Sequence, residues 1–245
     1  MYRIKQSSAN HGTYSPFIKT ENLCLYNYCS NNPVRYVDPD GEKIKIRGSR
    51  EYKKALGFIL QSLAPGAKVN MLTGVVSLNK KNSIGQHSKG TELIKSLIEN
   101  KHTIIITMED FEKMQATPAN ENDSYNPSKG TGSTISFSPN EKMKASVLIY
   151  DRGKAKVREF VQSPAIILGH ELIHSLHFAL GTRESKIIES YKDLTGREIG
   201  GGTKLEELKT IGIPGYFDEN SDITENMLRQ ELFMNLRNEY EGYSN

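Results

Sequence analysis

A nearly continuous apolar stretch over residues 164–181 constrains this chain more than any other segment, because it also holds two histidines and a glutamate. The stretch reads PAIILGHELIHSLHFALG. Ser163 is a good N-cap, Pro164 suits the first helical position, and Gly181 suits the residue just beyond a helix end. A helix that is apolar nearly all round is buried. The sequence therefore predicts a buried helix whose histidines need a chemical reason to be there.

The spacing of those polar residues forms an H-E-x-x-H motif. His170 and His174 are four residues apart, so they lie on one helix face and can direct two imidazole nitrogens at one Zn²⁺. Glu171 lies beside that face, where it can take a proton from the attacking water. Two hydrogen-bonded core histidines are the competing explanation. His177 lies about 10 Å further along the axis than His170, so it is predicted to support the site or to pack, without binding the metal.

The remaining pattern of residues 43–245 predicts one α+β domain. Helices are predicted over 49–63, 91–99 and 222–240, and strands over 74–78, 103–108, 133–138 and 145–150. Residues 109–132 are polar and aperiodic, which predicts a long flexible loop. The strand at 133–138 is expected to be an edge strand beside the cleft, to which an extended substrate would add. This order of elements predicts a zincin-like metalloprotease with a small mixed sheet and a buried H-E-x-x-H helix.

Composition disfavours several other classes. The net charge is only +3, which is too small to indicate a nucleic-acid partner. No apolar run approaches the length of a membrane span, and the N-terminus lacks the apolar core of a signal peptide. Cys24 and Cys29 can pair or stay reduced, but without nearby histidines or further cysteines they do not make a zinc site. A basic alternation over residues 152–158 favours a solvated strand face over an anionic docking patch.

A third metal ligand remains to be found, because a catalytic zinc usually takes three protein ligands and keeps a water. The extended metzincin pattern is absent: it needs glycine and histidine where this chain has His177 and Leu180. An acid from a later helix is the general alternative. The downstream candidates are Glu184, Glu189, Asp193, Glu206, Glu207, Asp218 and Glu225.

Two motifs resemble the clostridial neurotoxin light chains. Residues 170–181, HELIHSLHFALG, are similar to their zinc helix, and residues 205–212, LEELKTIG, are similar to the segment that carries their third ligand. The resemblance implies Glu207 as that ligand, whereas Glu206 is expected to face solvent or to pair with a lysine. The type III secreted effector metalloproteases share the same general layout.

The resemblance extends towards the C-terminus. Thr224-Glu225, followed by Arg237 and Tyr240, matches a family glutamate that supports a ligand histidine and the family's arginine and tyrosine. Glu225 would accept a hydrogen bond from the far nitrogen of a ligand histidine. Arg237 and Tyr240, expected on one C-terminal helix, would stabilise the oxyanion.

Residues 22–41, NLCLYNYCSNNPVRYVDPDG, differ in character from the rest and resemble the end of the core of Rhs and YD-repeat proteins, the shells that enclose a C-terminal toxin. In that family the pattern matched by residues 33–41 marks a self-cleavage junction. The resemblance implies that Asp38, Pro39 and Gly41 form this junction. It also implies a domain boundary, with the shell end at 1–42 and the toxin domain at 43–245.

Together these patterns predict a zinc-dependent endopeptidase toxin, carried in an Rhs shell and secreted or injected. It would cleave a protein substrate in the target-cell cytoplasm, and an immunity protein would be its other partner. A cargo nuclease and a non-catalytic zinc-binding module are the alternatives. No His-Asn-His cluster supports the nuclease, and no fourth ligand closes a structural site.

Overall fold

The computed structural model describes residues 43–79, 88–108 and 114–240. The strands are β1 (Ile44–Ile46), β2 (Ala67–Val69), β3 (Val76–Leu78), β4 (Ile104–Thr107), β5 (Gln115–Pro118), β6 (Ser133–Ser136), β7 (Lys144–Asp151), β8 (Lys154–Val161), β9 (Ile187–Lys192) and β10 (Glu198–Lys204). The helices are α1 (Arg50–Leu63), α2 (Ser88–Glu99), α3 (Pro164–Leu180), α4 (Leu205–Ile211) and α5 (Glu225–Glu231), with a 3₁₀ turn at Asp123–Tyr125. The predicted α+β class is confirmed.

The main sheet has the strand order β1-β4-β6-β5, with β1, β4 and β6 parallel and β5 antiparallel to β6. Its inner strand β4 begins with three isoleucines before Thr107, as expected for a strand covered on both faces. The strand predicted over 133–138 is β6, and the expectation that it forms the edge is wrong. β5 occupies that edge, because the segment assigned to a loop supplies an extra strand.

Helix α3 lies at the centre of the main hydrophobic core, as predicted. The Ser163 hydroxyl accepts a hydrogen bond from the Ala165 backbone N–H at 3.3 Å. Gly181 ends the helix in the left-handed conformation with φ of 68°. Helix α5 approaches α3 closely at Gly169, where an added Cβ would lie 2.8 Å from a Leu228 methyl group. The small residue therefore sets the spacing between α3, which carries the two histidines, and α5, which carries Glu225.

The segment over residues 114–132 is ordered on α3, so the prediction of a flexible loop is wrong for this part. The Thr131 N–H donates to the Phe178 carbonyl at 2.8 Å. The Arg183 guanidinium carbon lies 5.1 Å from the Tyr125 ring centroid and 5.0 Å from that of Phe178. Helix ends leave carbonyls without intrahelical partners, and Thr131 in this segment supplies a donor to one of them. Residues 109–113 lie outside the described part.

Besides the short antiparallel pair of β2 and β3, two hairpins lie outside the main sheet in the described residues. β7, predicted as a strand, pairs antiparallel with β8, which carries the basic alternation. Their two-residue turn has left-handed backbone at both Arg152 (φ 50°) and Gly153 (φ 78°), the geometry of a type I′ hairpin turn. β9 and β10 form the second antiparallel hairpin, with an irregular register near its glycines. No helix within the described ranges is long and apolar enough to cross a membrane.

The C-terminal helix predicted over 222–240 is much shorter than expected. It spans only Glu225–Glu231, and Phe233 then takes a left-handed φ of 54°. The following segment runs beside β7: the Leu148 N–H donates to the Leu236 carbonyl, and the Asn238 N–H donates to the Ser146 carbonyl. Backbone pairing with a strand replaces helical hydrogen bonds here, so long-range pairing overrides local helix propensity.

Candidate metal centre and active site

The three predicted ligands converge on one point. His170 Nε2 and His174 Nε2 are 3.1 Å apart. Glu207 Oε2, on α4, lies 3.3 Å from each of these nitrogens. Each side chain is mostly shielded from solvent, and together they form a group of donor atoms that could hold one metal ion.

The far nitrogens of both histidines face carboxylates. His170 Nδ1 donates to Glu225 Oε2 at 2.8 Å, and His174 Nδ1 donates to Glu206 Oε1 at 2.9 Å. An ionised carboxylate only accepts hydrogen bonds, so these contacts hold a proton on each Nδ1 and leave each Nε2 facing the triangle, where a metal would take the place of a proton. Both imidazoles therefore present the tautomer that a metal requires.

This donor set fits zinc. Ligand distances of about 2.0 to 2.1 Å at tetrahedral angles place the ligand atoms about 3.3 Å apart, close to the separations of 3.1 and 3.3 Å found here. Burial alone would lower the pKa of His174, but the Glu207 and Glu206 carboxylates outweigh burial and raise it well above its usual value. The site thus attracts positive charge, as a cation site must.

Glu206 is a functional candidate that the sequence analysis placed wrongly. It is buried, with 3% of its surface exposed, and it makes no lysine pair in the described part of the chain. Its Oε1 accepts from His174 Nδ1 and from His177 Nδ1 at 2.7 Å, while its Oε2 accepts from the Glu184 N–H at 3.0 Å. Burial would raise the pKa of Glu206, but these imidazole hydrogen bonds hold it well below the usual range.

A usable signal for Glu206 existed in the sequence. His177 follows His174 by three residues, so the two imidazoles share a helix face and one acid can serve both. His177 Nδ1 lies 2.7 Å from Glu206 Oε1. His177 is not one of the three side chains of the metal triangle.

Glu171 lies beside the triangle and is buried. Its Oε2 accepts a hydrogen bond from the Ala116 N–H of β5 at 2.6 Å. Burial raises the pKa of Glu171, against the lowering effect of His170 and His174. The sheet edge thus contacts the general-base candidate directly, a contact that the loop assignment for 109–132 concealed.

Glu225 anchors a buried ionic network behind His170. Its Oε1 accepts from Arg229 Nε at 2.6 Å, and its Oε2 accepts from Arg237 Nη1 at 2.9 Å. Burial would raise the pKa of Glu225, but the charges of Arg237 and Arg229 hold it well below the usual value. Arg229 was missed by the sequence analysis, although its position four residues after Glu225 on a helix is a recognisable pairing signal.

Arg237 and Tyr240 are brought together, but on an extended segment and not on the predicted helix. The Arg237 guanidinium carbon lies 5.6 Å from the Tyr240 ring centroid. The Tyr240 backbone N–H donates to the Tyr191 hydroxyl oxygen at 2.9 Å. Arg237 Nε is buried and has no hydrogen-bond partner within residues 43–79, 88–108 and 114–240.

The other acids considered as ligands lie elsewhere. Glu189 and Asp218 are exposed, and Glu184 reaches the site only through its backbone N–H. Asp193 is buried but accepts hydrogen bonds within its own hairpin, from the Thr195 N–H and the Arg197 N–H. The predicted junction residues Asp38, Pro39 and Gly41 lie outside the described residues.

The model of the peptidase M91 family, described as an effector protein, matches residues 77–240. This chain belongs to the peptidase M91 effector family. The matched range contains the whole triangle and the Glu225 network. The match begins beyond residue 42, so the junction stays a prediction.

Solved structures similar to this M91 chain include botulinum neurotoxin light chains. The type C light chain with its zinc removed is 20% identical over 53% of this chain and 32% of its own, with a TM-score of 0.35. The type D light chain is 24% identical over 54% and 31%, with a TM-score of 0.31. The Clostridium botulinum serotype F light chain is 24% identical over 44% and 27%, with a TM-score of 0.30. The M91 chain therefore matches about a third of these light chains or less. The curated proteins contain no match to it.

Proposed function

We propose that this M91 effector is a zinc-dependent endopeptidase. The observation that carries the proposal is the triangle of two Nε2 atoms and one carboxylate oxygen, with edges of 3.1 to 3.3 Å, next to the buried carboxylate of Glu171. His170, His174 and Glu207 would hold the metal. Zinc at that point would supply Lewis acidity, which makes water nucleophilic near neutral pH and polarises a peptide carbonyl.

Glu171 would carry the proton through the reaction. Its carboxylate takes a proton from the attacking water as the carbon–oxygen bond forms, and it gives that proton to the amide nitrogen as the carbon–nitrogen bond breaks. The buried position supports this role because burial raises the pKa of Glu171 and so makes its carboxylate a stronger base. The Ala116 N–H orients one oxygen, leaving the other for the water.

Tyr240 and Arg237 would stabilise the oxyanion that develops on the carbonyl. Arg237 would have a second task, because its Nη1 donates to Glu225, which in turn accepts from His170. Arg237 therefore positions a ligand histidine as well.

An extended substrate would lie along β5. The Ala119 N–H donates to the Gly132 carbonyl. In the β5–β6 register, residues 115, 117 and 119 therefore direct their backbone N–H and C=O groups toward β6. Ala116 and Pro118 then face away from β6, and the Ala116 N–H indeed points to Glu171. The Ala116 carbonyl is the acceptor that would remain for the substrate, because its N–H is bonded to Glu171, whereas Pro118 has no N–H and limits further pairing.

Delivery forms the second half of the proposal. The family description as an effector supports action inside a target cell, and the residues resembling an Rhs shell end support a toxin released after Gly41-Glu42. The domains would be 1–42 and 43–245, and an immunity protein would neutralise the released toxin. N-terminal sequencing of product from the full shell tests this: a toxin starting near Lys43 is expected, and an uncut chain in an active shell contradicts it.

The decisive experiment compares Glu171→Gln with His170→Ala. The Gln variant should keep about one zinc and the native fold yet lose casein cleavage, because only the base is removed. The Ala variant should lose zinc and cleavage together. Near wild-type proteolysis by Glu171→Gln would refute the mechanism. Plasmid nicking by the same samples tests the nuclease alternative, and zinc binding without any proteolysis would favour a binding module.

A further inference from the structure

The hairpin of β7 and β8 presents a second surface, built from residues other than those of the metal triangle. The Gln162 N–H donates to the Met143 carbonyl, so in the β7–β8 register residues 154, 156, 158 and 160 direct their backbone groups toward β7. The intervening residues of β8 therefore direct theirs outward. Within the described ranges no strand pairs with that outer edge. Seven of its eight residues are exposed.

The opposite edge of the hairpin is occupied, which shows how this sheet accepts a strand. Leu236 and Asn238 already pair with β7 through their backbones. β7, β8 and the segment containing Leu236 and Asn238 thus form one sheet, and β8 is its unpaired edge among the described residues. Strand addition at such an edge satisfies alternating N–H and C=O groups.

Charge defines the kind of strand that fits. Residues 144–161 hold five basic and two acidic side chains, an excess equal to the net charge of +3 of the whole chain. The two acids pair within the hairpin, Glu159 with Lys144 at 3.0 Å and Asp151 with Lys156. Lys154 and Arg158 have no acidic partner in the part of the chain that the structure describes.

The periodicity of the strand places Lys154, Lys156 and Arg158 on one face. A neighbouring strand with acidic residues at alternate positions would set its carboxylates beside them, and opposite charges at such positions stabilise a sheet. A second copy of this chain would bring the same positive face and would be repelled. A nucleic acid would use the charge but leave the backbone edge unsatisfied.

The basic alternation by itself favoured a solvated face, but the unpaired backbone edge beside it changes that expectation. We propose that the outer edge of β8 is a docking site for an extended, acidic polypeptide segment that adds to the sheet as a further strand. The site is separate from the proposed catalytic machinery. The segment that pairs with the other side of the hairpin carries Arg237 and Tyr240, so a substrate captured at β8 would be held on the element that borders the active site. That last step rests on the proposed function, whereas the docking itself does not.

The test uses a fluorescein-labelled peptide of alternating threonine and glutamate, as long as β8, with a threonine–lysine peptide as the charge control. Fluorescence anisotropy on the full chain should show the acidic peptide binding at least about tenfold more tightly, with affinity falling as salt is added. The double variant Lys154→Glu and Arg158→Glu should lose at least about tenfold. Reversing Lys192 and Lys204 on the β9–β10 hairpin should change little.

Backbone pairing is tested separately from charge. Ala155→Pro removes an outward N–H without touching the β7–β8 ladder, and it should weaken binding about tenfold, whereas Ala155→Ser should not. Hydrogen exchange should show new protection at 155, 157, 159 and 161, the outward amides. Equal binding by Ala155→Pro, or tighter binding of a single-stranded polynucleotide at this face, would overturn the proposal. Glu171→Gln should bind the acidic peptide as the wild type does. The docking result can therefore be interpreted even if the proposed protease mechanism is wrong.

Discussion

Glu206 offers a sharp test of how the structure supports the metal centre. The change is Glu206→Gln, which keeps the shape of the side chain and removes its charge. The carboxylate accepts three N–H groups, from His174, His177 and Glu184. An amide has one oxygen and one NH₂ group, so in either orientation at least one buried donor faces another donor.

The magnitude follows from that mismatch. If the amide oxygen faces the imidazoles, the Glu184 N–H loses its acceptor, which costs about 1 to 3 kcal/mol. If the NH₂ faces them, His174 must move its proton to Nε2, into the triangle. Loss of a carboxylate behind a ligand histidine typically reduces metal affinity by about 10- to 100-fold, or about 1.4 to 2.7 kcal/mol. We expect a loss of zinc affinity within this range.

The assay is competitive zinc titration against a chromophoric chelator, with thermal denaturation of the zinc-free protein in parallel. Glu198→Gln, on the exposed face of β10, is the matched control and should bind zinc normally. Glu207→Gln should lose more affinity than Glu206→Gln because it alters the ligand itself. Wild-type zinc affinity in Glu206→Gln, with or without lost stability, would refute a role in the metal centre.

Three further predictions address other parts of the chain. Tyr240→Phe should lower kcat by about 10²-fold with zinc content unchanged, the scale of one lost oxyanion donor; a normal kcat would instead make Tyr240 a packing residue. Phe233→Gly should raise the free energy of unfolding by about 1 kcal/mol, because Phe233 has φ of 54° and is 97% exposed, whereas Phe233→Ala should give no such gain in urea unfolding. Asp193→Asn should cost about 1 to 3 kcal/mol at neutral pH. Hydrogen bonds outweigh burial and lower the pKa of Asp193, so its stabilisation is present above the unfolded pKa of about 3.9 and is lost as pH falls through the folded value. If the difference in unfolding free energy between wild type and Asp193→Asn stayed constant across an acid pH series, this account would be contradicted.

Local patterns were sufficient for helix α3. Its caps, its apolar run and the four-residue spacing of His170 and His174 each depend on residues within one helix, and the observed bounds match those predicted. The strand predicted over 145–150 is likewise observed as β7 because an apolar run and a tight turn carry enough information locally. Glu207 was indicated by resemblance, since spacing alone left seven acids open.

Predictions failed where a distant partner decided the outcome. Residues 114–132 carry little periodicity, and they are ordered by the carbonyls at the end of α3 and by the edge of β6. The segment after Glu231 lacks a strong stop signal, yet it leaves the helix to pair with β7. Glu206 is charged and next to Glu207, so the sequence predicted that its side chain would be exposed. Helix α4 instead directs this side chain toward two imidazoles.

The sequence by itself determined the chemistry that this chain can support: a buried helix with two histidines at one turn and an acid beside them. Those properties follow from helical geometry, which depends only on residues close in the chain. Tertiary structure decided which carboxylates complete the site, because Glu206, Glu207 and Glu225 reach it from two other helices. It also decided that β5 borders the cleft and that β8 stays open, because strand order is set by packing between segments far apart in the chain.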